Sequence, residues 1–250
     1  MREMTTDRPD MTESPFTVDA GHIQFESNLF GYARSRRDQA GAISDAYDLA
    51  LINMRVGLTN SAEFNIVWQP YGVLQTRCRT CLDSHRDAGV GGVDLRAKFN
   101  VWGNDSFEKV GSALALLPYV SLPTDRRNGI GPEYVEAGLV VPLGMQLTKQ
   151  ASLGLNFGSS WTRSSKDDRY HLEHLATASF AYDWTEKFGT YYEIGAKFNV
   201  PDPRGREVVM IGTGITYAVT NNLQLDAGIN FGVTPASDRI NPFIGFASRF

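Results

Sequence analysis

The chain ends with Asn241 to Phe250, which reads Asn-Pro-Phe-Ile-Gly-Phe-Ala-Ser-Arg-Phe. Its residues fall into two alternating sets, which we call the two parities. One set is Ile244, Phe246, Ser248 and Phe250, and the other is Phe243, Gly245, Ala247 and Arg249. A period of two is typical of a β-strand, because successive side chains point to opposite faces. An unpaired terminal strand would expose a row of backbone donors and acceptors, and pairing the last strand with the first removes that edge. The terminal stretch therefore predicts a closed barrel, provided that the rest of the chain is a meander.

The same alternation recurs along the chain from Gly21. The clearest example sets Val93, Leu95, Ala97, Phe99 and Val101 against Asp94, Arg96, Lys98 and Asn100. Similar segments begin near Ile23, Ala50, Phe64, Leu114, Val135, Leu153, Ala176, Tyr192, Val209 and Leu225. We therefore predict an all-β fold, a transmembrane antiparallel β-barrel of about 12 strands. The even number is the one found in bacterial outer-membrane barrels.

The lengths of the connections predict which end of the barrel faces which side of the membrane. The even-to-odd connections are mostly short and lie near Thr59, Asn104, Gly144, Glu186 and Asn221. The odd-to-even connections are mostly longer and lie at Arg34 to Asp45, Pro70 to Gly89, Pro123 to Glu133, Thr162 to Tyr170, Pro201 to Arg206 and Val233 to Arg239. We expect short periplasmic turns and longer extracellular loops, with both termini on the periplasmic side.

Alternation alone does not tell which parity faces inward, since a soluble barrel would point its apolar side chains to the inside. Three features favour the inverse arrangement. The polar parity is rich in Gly, Ser, Asn and charges of both signs, as a hydrated lumen requires, and about twelve strands are too many for an interior filled by apolar side chains. Aromatic residues also recur near strand ends on the apolar parity, as in interfacial girdles; they are Phe64, Trp68, Trp184, Tyr192, Tyr217 and Phe250.

Composition agrees with a membrane barrel and excludes other classes. The chain has 250 residues and a formal net charge of −4, which gives no basic footprint for nucleic acid. It contains no apolar run of about 18 residues, so a transmembrane helix is excluded, whereas strands of a barrel average out in hydropathy. We divide the chain into a periplasmic N-terminal leader, residues 1–20, and an outer-membrane β-barrel, residues 21–250.

Residues 1–10 (MREMTTDRPD) lack the apolar core of an export signal. We expect that the signal was removed before this numbering; the alternative is that the chain is not exported. The predicted location is the bacterial outer membrane. The predicted partners are outer-membrane lipid, the barrel-assembly machinery through the C-terminal strand that ends at Phe250, and a small-molecule solute. We expect a monomer with no cofactor, no metal and no nucleic-acid partner.

The leader is polar and carries charges of both signs, with Pro9 and Pro15 breaking any regular pattern. From this composition we hypothesise that Thr5 to Pro15 folds back to plug the periplasmic mouth of the barrel. Unchanged conductance after deletion of the leader would count against this plug.

Two cysteines, Cys78 and Cys81, are separated by Arg79 and Thr80. This spacing is shared by thioredoxin-type redox pairs and by half-sites for zinc, with His85 nearby. A redox pair requires a strand-to-helix context, and a structural zinc site requires four ligands; neither pattern is visible here. We favour a local disulfide that stiffens the loop, with a metal site and free or intermolecular thiols as alternatives.

The motif His171-Leu172-Glu173-His174 suggests a metal or catalytic site. On a strand, however, His171 and Glu173 face one way and His174 the other, so the three side chains cannot converge. Barrel lipases pair a Ser with a His near the lipid-facing rim, but Ser179 lies too far along the strand to meet His174. We therefore expect a rim position for this motif and no enzymatic activity.

The polar parity contains the better candidates for function. The predicted lumen and solute-path residues are Gln24, Glu26, Asn53, Arg55, Asn65, Asp94, Arg96, Lys98, Glu136, Glu193, Lys197, Asp226 and Arg249. Their charges either pair across the lumen and close it, or line a water-filled path whose selectivity they set.

Several short motifs occur in a recognisable order. The chain opens with Thr6-Asp7-Arg8-Pro9-Asp10 and Glu13-Ser14-Pro15, and Gly21 is followed by Gln24 and Glu26. Later landmarks are Arg55 with Gly57-Leu58-Thr59, Leu122-Pro123-Thr124, and Thr220 with Leu223-Gln224-Leu225-Asp226. In this order the chain resembles, over essentially its whole length, the outer-membrane family named for the meta-pathway of phenol degradation. It differs at Gly89-Val90-Gly91-Gly92-Val93-Asp94, where the family has Gly-Xaa-Gly-Asp, and in the loop that bears the cysteines. The resemblance implies uptake of small aromatic or other hydrophobic compounds.

These observations predict an outer-membrane channel or transporter that passes or binds a small solute, hydrophobic or aromatic, without chemistry. The alternative is a structural or adhesive barrel with a closed lumen that acts through its extracellular loops, especially Pro70 to Gly89. A wide lumen with unpaired charges would favour the channel, and a salt-bridged lumen the structural barrel. A secreted soluble β protein is a third interpretation, which requires the chain to stay folded without detergent.

Overall fold

The computed structural model describes residues 1–38, 41–78, 84–124, 129–164, 169–202 and 204–250. These residues form the strands β1 (Ile23–Arg34), β2 (Ala42–Thr59), β3 (Ala62–Trp68), β4 (Tyr71–Cys78), β5 (His85–Gly89), β6 (Val93–Trp102), β7 (Ser112–Leu122), β8 (Glu136–Gln146), β9 (Ala151–Ser164), β10 (Arg169–Asp183), β11 (Phe188–Asp202), β12 (Gly205–Thr220), β13 (Leu223–Gly232) and β14 (Ile240–Arg249). A four-residue helix, α1 (Phe107–Val110), lies between β6 and β7. Within the described ranges, no helix is long and apolar enough to cross a membrane.

The last strand closes the sheet. β14 pairs antiparallel with both β13 and β1, and Gln24 lies opposite Arg249. At the seam, the N–H of Phe250 donates to the carbonyl of Ile23 at 2.8 Å, and the N–H of Ile23 donates back at 3.1 Å. The predicted pairing of the last strand with the first is therefore confirmed.

The strands occupy twelve positions around the barrel, because two of those positions each hold two consecutive strands. β2 pairs with β4 along its first half and with β3 along its second half, so β3 and β4 continue one another. β6 pairs with β3, and β5 pairs with β4, so β5 and β6 also form one interrupted strand. All neighbouring pairs are antiparallel, and the prediction of about 12 strands is confirmed.

The turns at the end of the barrel that carries both termini are mostly as short as predicted. Residues 60–61, 184–187 and 221–222 connect their strands directly. The turn expected near Gly144 lies farther along, at residues 147–150, because β8 continues to Gln146. The connection expected near Asn104 is longer than a tight turn, since residues 103–111 include α1.

At the opposite end, several connections that the sequence predicted as loops are largely strand. The segment Pro70 to Gly89 contains β4 and β5, so this loop prediction was wrong. β2 begins already at Ala42, within the predicted loop Arg34 to Asp45, and β9 to β12 likewise extend into the predicted loops. Beyond the bilayer a strand is free to carry polar side chains on both faces, while its backbone groups still require partners. The polar residues of these segments therefore suggested loops, although the strands remain paired there.

The apolar parity faces outward, as predicted. Trp184, Tyr192 and Phe250 are 61%, 58% and 71% exposed, whereas Arg55 and Lys98 on the polar parity are 0% exposed. An inward polar face and an outward apolar face with aromatic residues near the strand ends are typical of a transmembrane barrel.

Candidate functional site

The leader lies inside the barrel. Its two ends meet at the terminal end of the barrel, where Arg2 Nε is 2.6 Å from Asp19 Oδ1. Arg2 also contacts two turns of the barrel wall: its Nη1 donates to the carbonyl of Asn60 at 3.0 Å and lies 3.1 Å from Asp105 Oδ1. Phe16 packs edge-on against Phe107 of α1, with ring centroids 4.9 Å apart. The helix in the β6–β7 connection thus supports the exit of the leader from the lumen.

A buried charge cluster centred on Arg55 of β2 connects the leader to the wall. Arg55 Nη1 lies 2.8 Å from Glu26 Oε1 of β1, and Arg55 Nε lies 3.0 Å from Glu63 Oε1 of β3. The leader adds Asp7, whose carboxylate is 3.4 Å from Arg55 Nη1 and 2.5 Å from Lys98 Nζ of β6. Buried charges are tolerated when they are paired and hydrogen-bonded, and each member of this cluster is.

Two further ion pairs connect the leader to other parts of the wall. Arg8 Nη2 lies 2.6 Å from Asp226 Oδ1 of β13, and Glu13 Oε1 lies 2.8 Å from Arg96 Nη1 of β6. On a third side, Glu193 of β11 accepts from the N–H of Met11 at 2.8 Å. The leader is therefore held from several sides of the lumen rather than along one strand.

The leader has no regular secondary structure, so wall side chains satisfy its backbone. Gln24 Nε2 donates to the carbonyl of Thr5 at 2.8 Å, and Asn100 Nδ2 donates to the carbonyl of Pro15 at 2.9 Å. Glu63 Oε2 accepts from the N–H of Val18 at 2.6 Å. These contacts fix the path of the leader residue by residue.

Wall glycines make room for the leader. A Cβ placed on Gly195 would lie 2.8 Å from Met11 Cε, and one on Gly144 would lie 3.0 Å from Pro15 Cγ. Ordinary carbon contacts need about 3.5–4.0 Å. The side chains of Met11 and Pro15 therefore approach these strands more closely than a wall residue with a side chain would allow.

A cavity of about 270 Å³ lies above the leader. Leader residues 7–11 and Glu13 form its floor, and its polar wall includes Asn28, Asn53 and Asn230. Leu51, Val67 and Phe243 supply an apolar wall. Small-molecule sites combine apolar surface with a few polar groups in this way.

Burial raises the pKa of two leader carboxyl groups. Burial, together with the charge of Glu193, raises the pKa of Asp10 to about 8. Burial and the charge of Asp7 raise the pKa of Glu13 to about 7. In contrast, the charges of Arg55 and Lys98 outweigh the effect of burial and hold the pKa of Asp7 below its usual value. The docked leader therefore contains both firmly ionised and readily protonated carboxyl groups.

The structure brings together most of the predicted lumen residues around the leader. Those that contact it are Gln24, Glu26, Arg55, Arg96, Lys98, Glu193, Asp226 and Arg249. Asn53 lines the cavity, Asp94 lies 2.7 Å from Arg96, and Asn65 is buried in the wall. Glu136 and Lys197 lie nearer the loop end, apart from this group, and Lys197 is exposed. The function of all these residues stays a prediction.

Sequence reasoning missed several residues of the site. Glu63 lies on the same strand face as Asn65, so the alternation that identified Asn65 also points to Glu63. Leu51, Val67 and Phe243 face the lumen although they are apolar, and alternation gives no sign of such residues. Asp7 and Glu13 belong to the charged leader, but their wall partners lie far away in sequence.

The motifs that suggested other chemistry do not form a site of their own. His171 Nε2 lies 3.0 Å from Glu173 Oε1, while His174 on the other face is hydrogen-bonded to Ser159 at 2.9 Å. The separation of the two histidines agrees with the strand prediction, although Ser159 rather than Ser179 is the nearby serine. Cys78 ends β4, and Cys81 lies outside the described residues, so the predicted disulfide stays a prediction.

Comparison with known proteins gives one family and many structures of the same fold. The model of a family described as "Putative MetA-pathway of phenol degradation" matches residues 6–250. The transport unit of the autotransporter AIDA-I from Escherichia coli superposes with a TM-score of 0.57 at 10% identity, over 99% of this chain and 93% of that one. The KdgM porin, in complex with disordered oligogalacturonate, gives 0.54 at 9% identity, over 92% and 99% of the two chains.

The NanC porin superposes with a TM-score of 0.52 at 10% identity, over 90% of this chain and 98% of that one. At such identities the likeness establishes the fold, an outer-membrane β-barrel. A search of curated proteins gave no match.

Proposed function

The chain belongs to the family described as "Putative MetA-pathway of phenol degradation", and from this membership we propose that it is a plugged channel for passive passage of a small solute, hydrophobic or aromatic. It is an outer-membrane β-barrel of the Gram-negative type. In this proposal the leader, residues 1–20, closes the lumen at rest, and the solute diffuses through when the leader withdraws. No chemical step and no cofactor take part.

The observation that carries the proposal is that the wall can pair its own charges without the leader. Arg55 contacts Glu26 and Glu63 directly, and Lys98 Nζ lies 3.6 Å from Glu63 Oε1. Arg96 is likewise paired with Asp94 of its own strand. Withdrawal of the leader therefore removes Asp7 and Glu13 from these groups and leaves wall ion pairs that water can reach, instead of isolated buried charges.

The charges left on the wall are nearly balanced. Among the wall residues that contact the leader or its charge partners, the basic ones are Arg55, Arg96, Lys98 and Arg249, and the acidic ones are Glu26, Glu63, Asp94, Glu193 and Asp226. Selectivity in such a path follows the sign of its lining charges. The unplugged lumen should consequently prefer cations only weakly and admit neutral solutes.

The cavity above the leader supports a solute with both apolar and polar parts. Its lining combines the apolar side chains of Leu51, Val67 and Phe243 with the amides of Asn53 and Asn230. An aromatic ring with one hydroxyl or carboxyl group would match this division. As further parts of the proposal, the barrel is a monomer in lipid, and the barrel-assembly machinery recognises the strand that ends at Phe250.

A disulfide between the leader and the wall tests the plug. Pro15→Cys and Gly144→Cys place two thiols where the Cβ of residue 144 lies 3.0 Å from Cγ of residue 15. Both native cysteines are replaced, Cys78→Ser and Cys81→Ser, to prevent exchange. In planar bilayers the oxidised protein should be silent, and reduction should restore discrete openings that small aromatic acids and alcohols block or slow. Equal openings before and after reduction would overturn the plug.

A structural or adhesive barrel with a closed lumen is the second candidate, and the salt-bridged lumen favours it. Its prediction differs, because the leader would then be a permanent part of the core. Silence in both the oxidised and the reduced state, with the barrel correctly inserted, would support this alternative and count against the channel.

A further inference from the structure

A transverse interruption crosses four neighbouring strand positions at one height. The registers on either side place Leu29 opposite Ala50, Ala50 opposite Pro70, and Pro70 opposite Gly91, yet none of these residues is paired in the ladder. We call these four residues the crease. Because the register is the same above and below it, the crease is a line of missing pairing and not a slip of one strand.

Each residue of the crease has a local feature that accounts for its missing β-sheet pairing. Ala50 has a φ of 54°, in the left-handed region that a side chain disfavours. Pro70 lacks the N–H that a ladder residue donates. Gly91 gains one contact, since its N–H donates to the carbonyl of Gln69 at 2.9 Å. Leu29 forms a bulge relative to β14, and bulges let a sheet bend.

Above the crease lies a separate part of the wall, residues 30–34, 42–49, 71–78 and 85–89, which we call the upper panel. One side of the panel is joined to β14 through pairs such as Gly31 with Phe243. On its other side, β5 pairs with β4 alone in the described part of the chain. The panel thus combines an interrupted base, one side that is paired with β14, and one edge that pairs with no further strand among the described residues.

The inner face of the panel rests on residues 129–130. A Cβ on Gly72 would lie 2.7 Å from Ile130 Cγ2, and one on Gly129 would lie 3.6 Å from Leu74 Cδ2. Residues 129–132 belong to the connection between β7 and β8, which form the wall beyond the β5 edge of the panel. These side-chain contacts connect the panel to that part of the wall.

The cavity lies directly beneath the crease. Asn28, Leu51 and Val67 line it, and each lies within three residues below a crease residue of its strand position. Leu51 and Val67 belong to the apolar wall of the cavity. On the outer face of the panel, Phe30, Leu49 and Tyr71 are exposed, and such residues are typical of the membrane interface.

We propose that the upper panel is a hinged part of the wall that swings at the crease and opens the cavity sideways, so that an apolar solute passes from the cavity into the membrane. The inference rests on the proposed function only in taking the cavity as the solute site. It does not require the leader to withdraw. The barrel would then have two exits for the solute: an axial one that opens when the leader withdraws, and a lateral one that opens at the crease.

A second disulfide tests the lateral exit. Gly72→Cys and Ile130→Cys, in the same Cys78→Ser, Cys81→Ser background, fasten the panel to the β7–β8 connection. The probe is N-phenyl-1-naphthylamine, whose fluorescence rises when it enters the membrane of intact cells that express the protein. We expect probe entry to slow severalfold in the oxidised protein and to recover on reduction. Each single-cysteine variant reports any effect of the substitution itself.

The lock of the leader through Pro15→Cys and Gly144→Cys is the matched control. If the inference holds, the leader lock leaves probe entry unchanged. The oxidised panel lock, in turn, leaves the ion conductance of a barrel without the leader unchanged. Equal probe entry in the oxidised and reduced panel-lock protein would overturn the lateral exit. Loss of lateral entry upon locking the leader would also contradict it, while an unaffected conductance in the leader-lock protein would overturn the plug alone.

Discussion

Arg55 Nη2 donates a 2.8 Å hydrogen bond to the carbonyl oxygen of Phe16, so a fully buried wall side chain holds the backbone of the leader. The same guanidinium separates the carboxylates of Glu26, Glu63 and Asp7. Arg55 therefore serves both to neutralise the cluster and to position the leader, and its planar fork suits both contacts.

Arg55→Leu should release the leader while leaving the barrel folded. Removal of one partner of a buried ion pair costs about 3–5 kcal/mol, and withdrawal of the leader admits water that relieves this penalty. At about 1.4 kcal/mol per factor of ten, docking should weaken by on the order of a hundredfold or more. Open probability in bilayers and protease cleavage within the leader measure the effect.

Arg37→Leu is the matched control for this substitution, because Arg37 is exposed in the β1–β2 connection. It should change neither open probability nor cleavage. Release in both variants would show that loss of an arginine, rather than loss of the cluster, loosens the leader.

Gly195→Val should displace the leader by sterics alone. A Cβ at Gly195 lies 2.8 Å from Cε of Met11, which is the flexible end of a leader side chain and not part of the barrel. We expect a higher open probability in bilayers and an unchanged thermal unfolding temperature of the barrel. Met11→Ala removes the clash, so the double variant should close again. If Met11→Ala does not rescue closure, the valine acts on the strand and not on the leader.

Several parts of this arrangement could be predicted from the sequence, and their physical basis is the period of two. Val93 to Val101 alternates without exception, so the face that Arg96 and Lys98 share follows directly from strand geometry. The seam between Ile23 and Phe250 follows from the need to pair a terminal strand.

Other parts of the site depend on contacts between distant residues, which the alternation of side chains along a strand does not predict. The partnership of Asp7 with Lys98 joins residues 91 positions apart, and nothing local in either segment encodes it. Phe243 faces the lumen at a position where the sequence shows only an apolar residue. The crease could not be predicted from the sequence for a different reason. Pro70 suggested a loop, and only the pairing register on both sides of it shows that the strand continues beyond Pro70.

Docking of the leader should weaken as the pH rises. The pKa values of Asp10 and Glu13 in the docked leader, about 8 and about 7, lie above the value of about 4 expected for a solvated carboxyl group. Between these limits the docked leader binds protons that the released leader has lost, so docking weakens progressively as the pH rises from about 4 to about 8.

Open probability should therefore increase from about pH 5 to about pH 9. Asp10→Asn should flatten the upper part of this profile, because the neutral amide cannot ionise beside Glu193. Glu3→Gln, at an exposed leader position, is the control and should leave the profile unchanged. A profile that falls with rising pH would contradict the assignment of these two carboxyl groups.

Strands that cross the crease should exchange their amide hydrogens at different rates above and below it. β2 offers the cleanest comparison, since residues 42–49 lie in the upper panel and residues 51–58 in the lower barrel of the same strand. Local opening exposes amides in proportion to how often a segment separates from its neighbours. We expect faster exchange in residues 42–49, and fastening the panel through Gly72→Cys and Ile130→Cys should remove most of the difference.

Pro70→Val tests whether the crease itself is the cause. Valine restores an N–H and favours the extended backbone, so the ladder between Ala50 and Gly91 can continue across position 70. Exchange in residues 42–49 should slow, and entry of N-phenyl-1-naphthylamine should slow with it, while axial conductance stays the same. Pro118→Val provides the control, because Pro118 lies within β7, away from the crease. If Pro70→Val and Pro118→Val slow probe entry equally, general stiffening of the barrel and not the crease controls lateral passage.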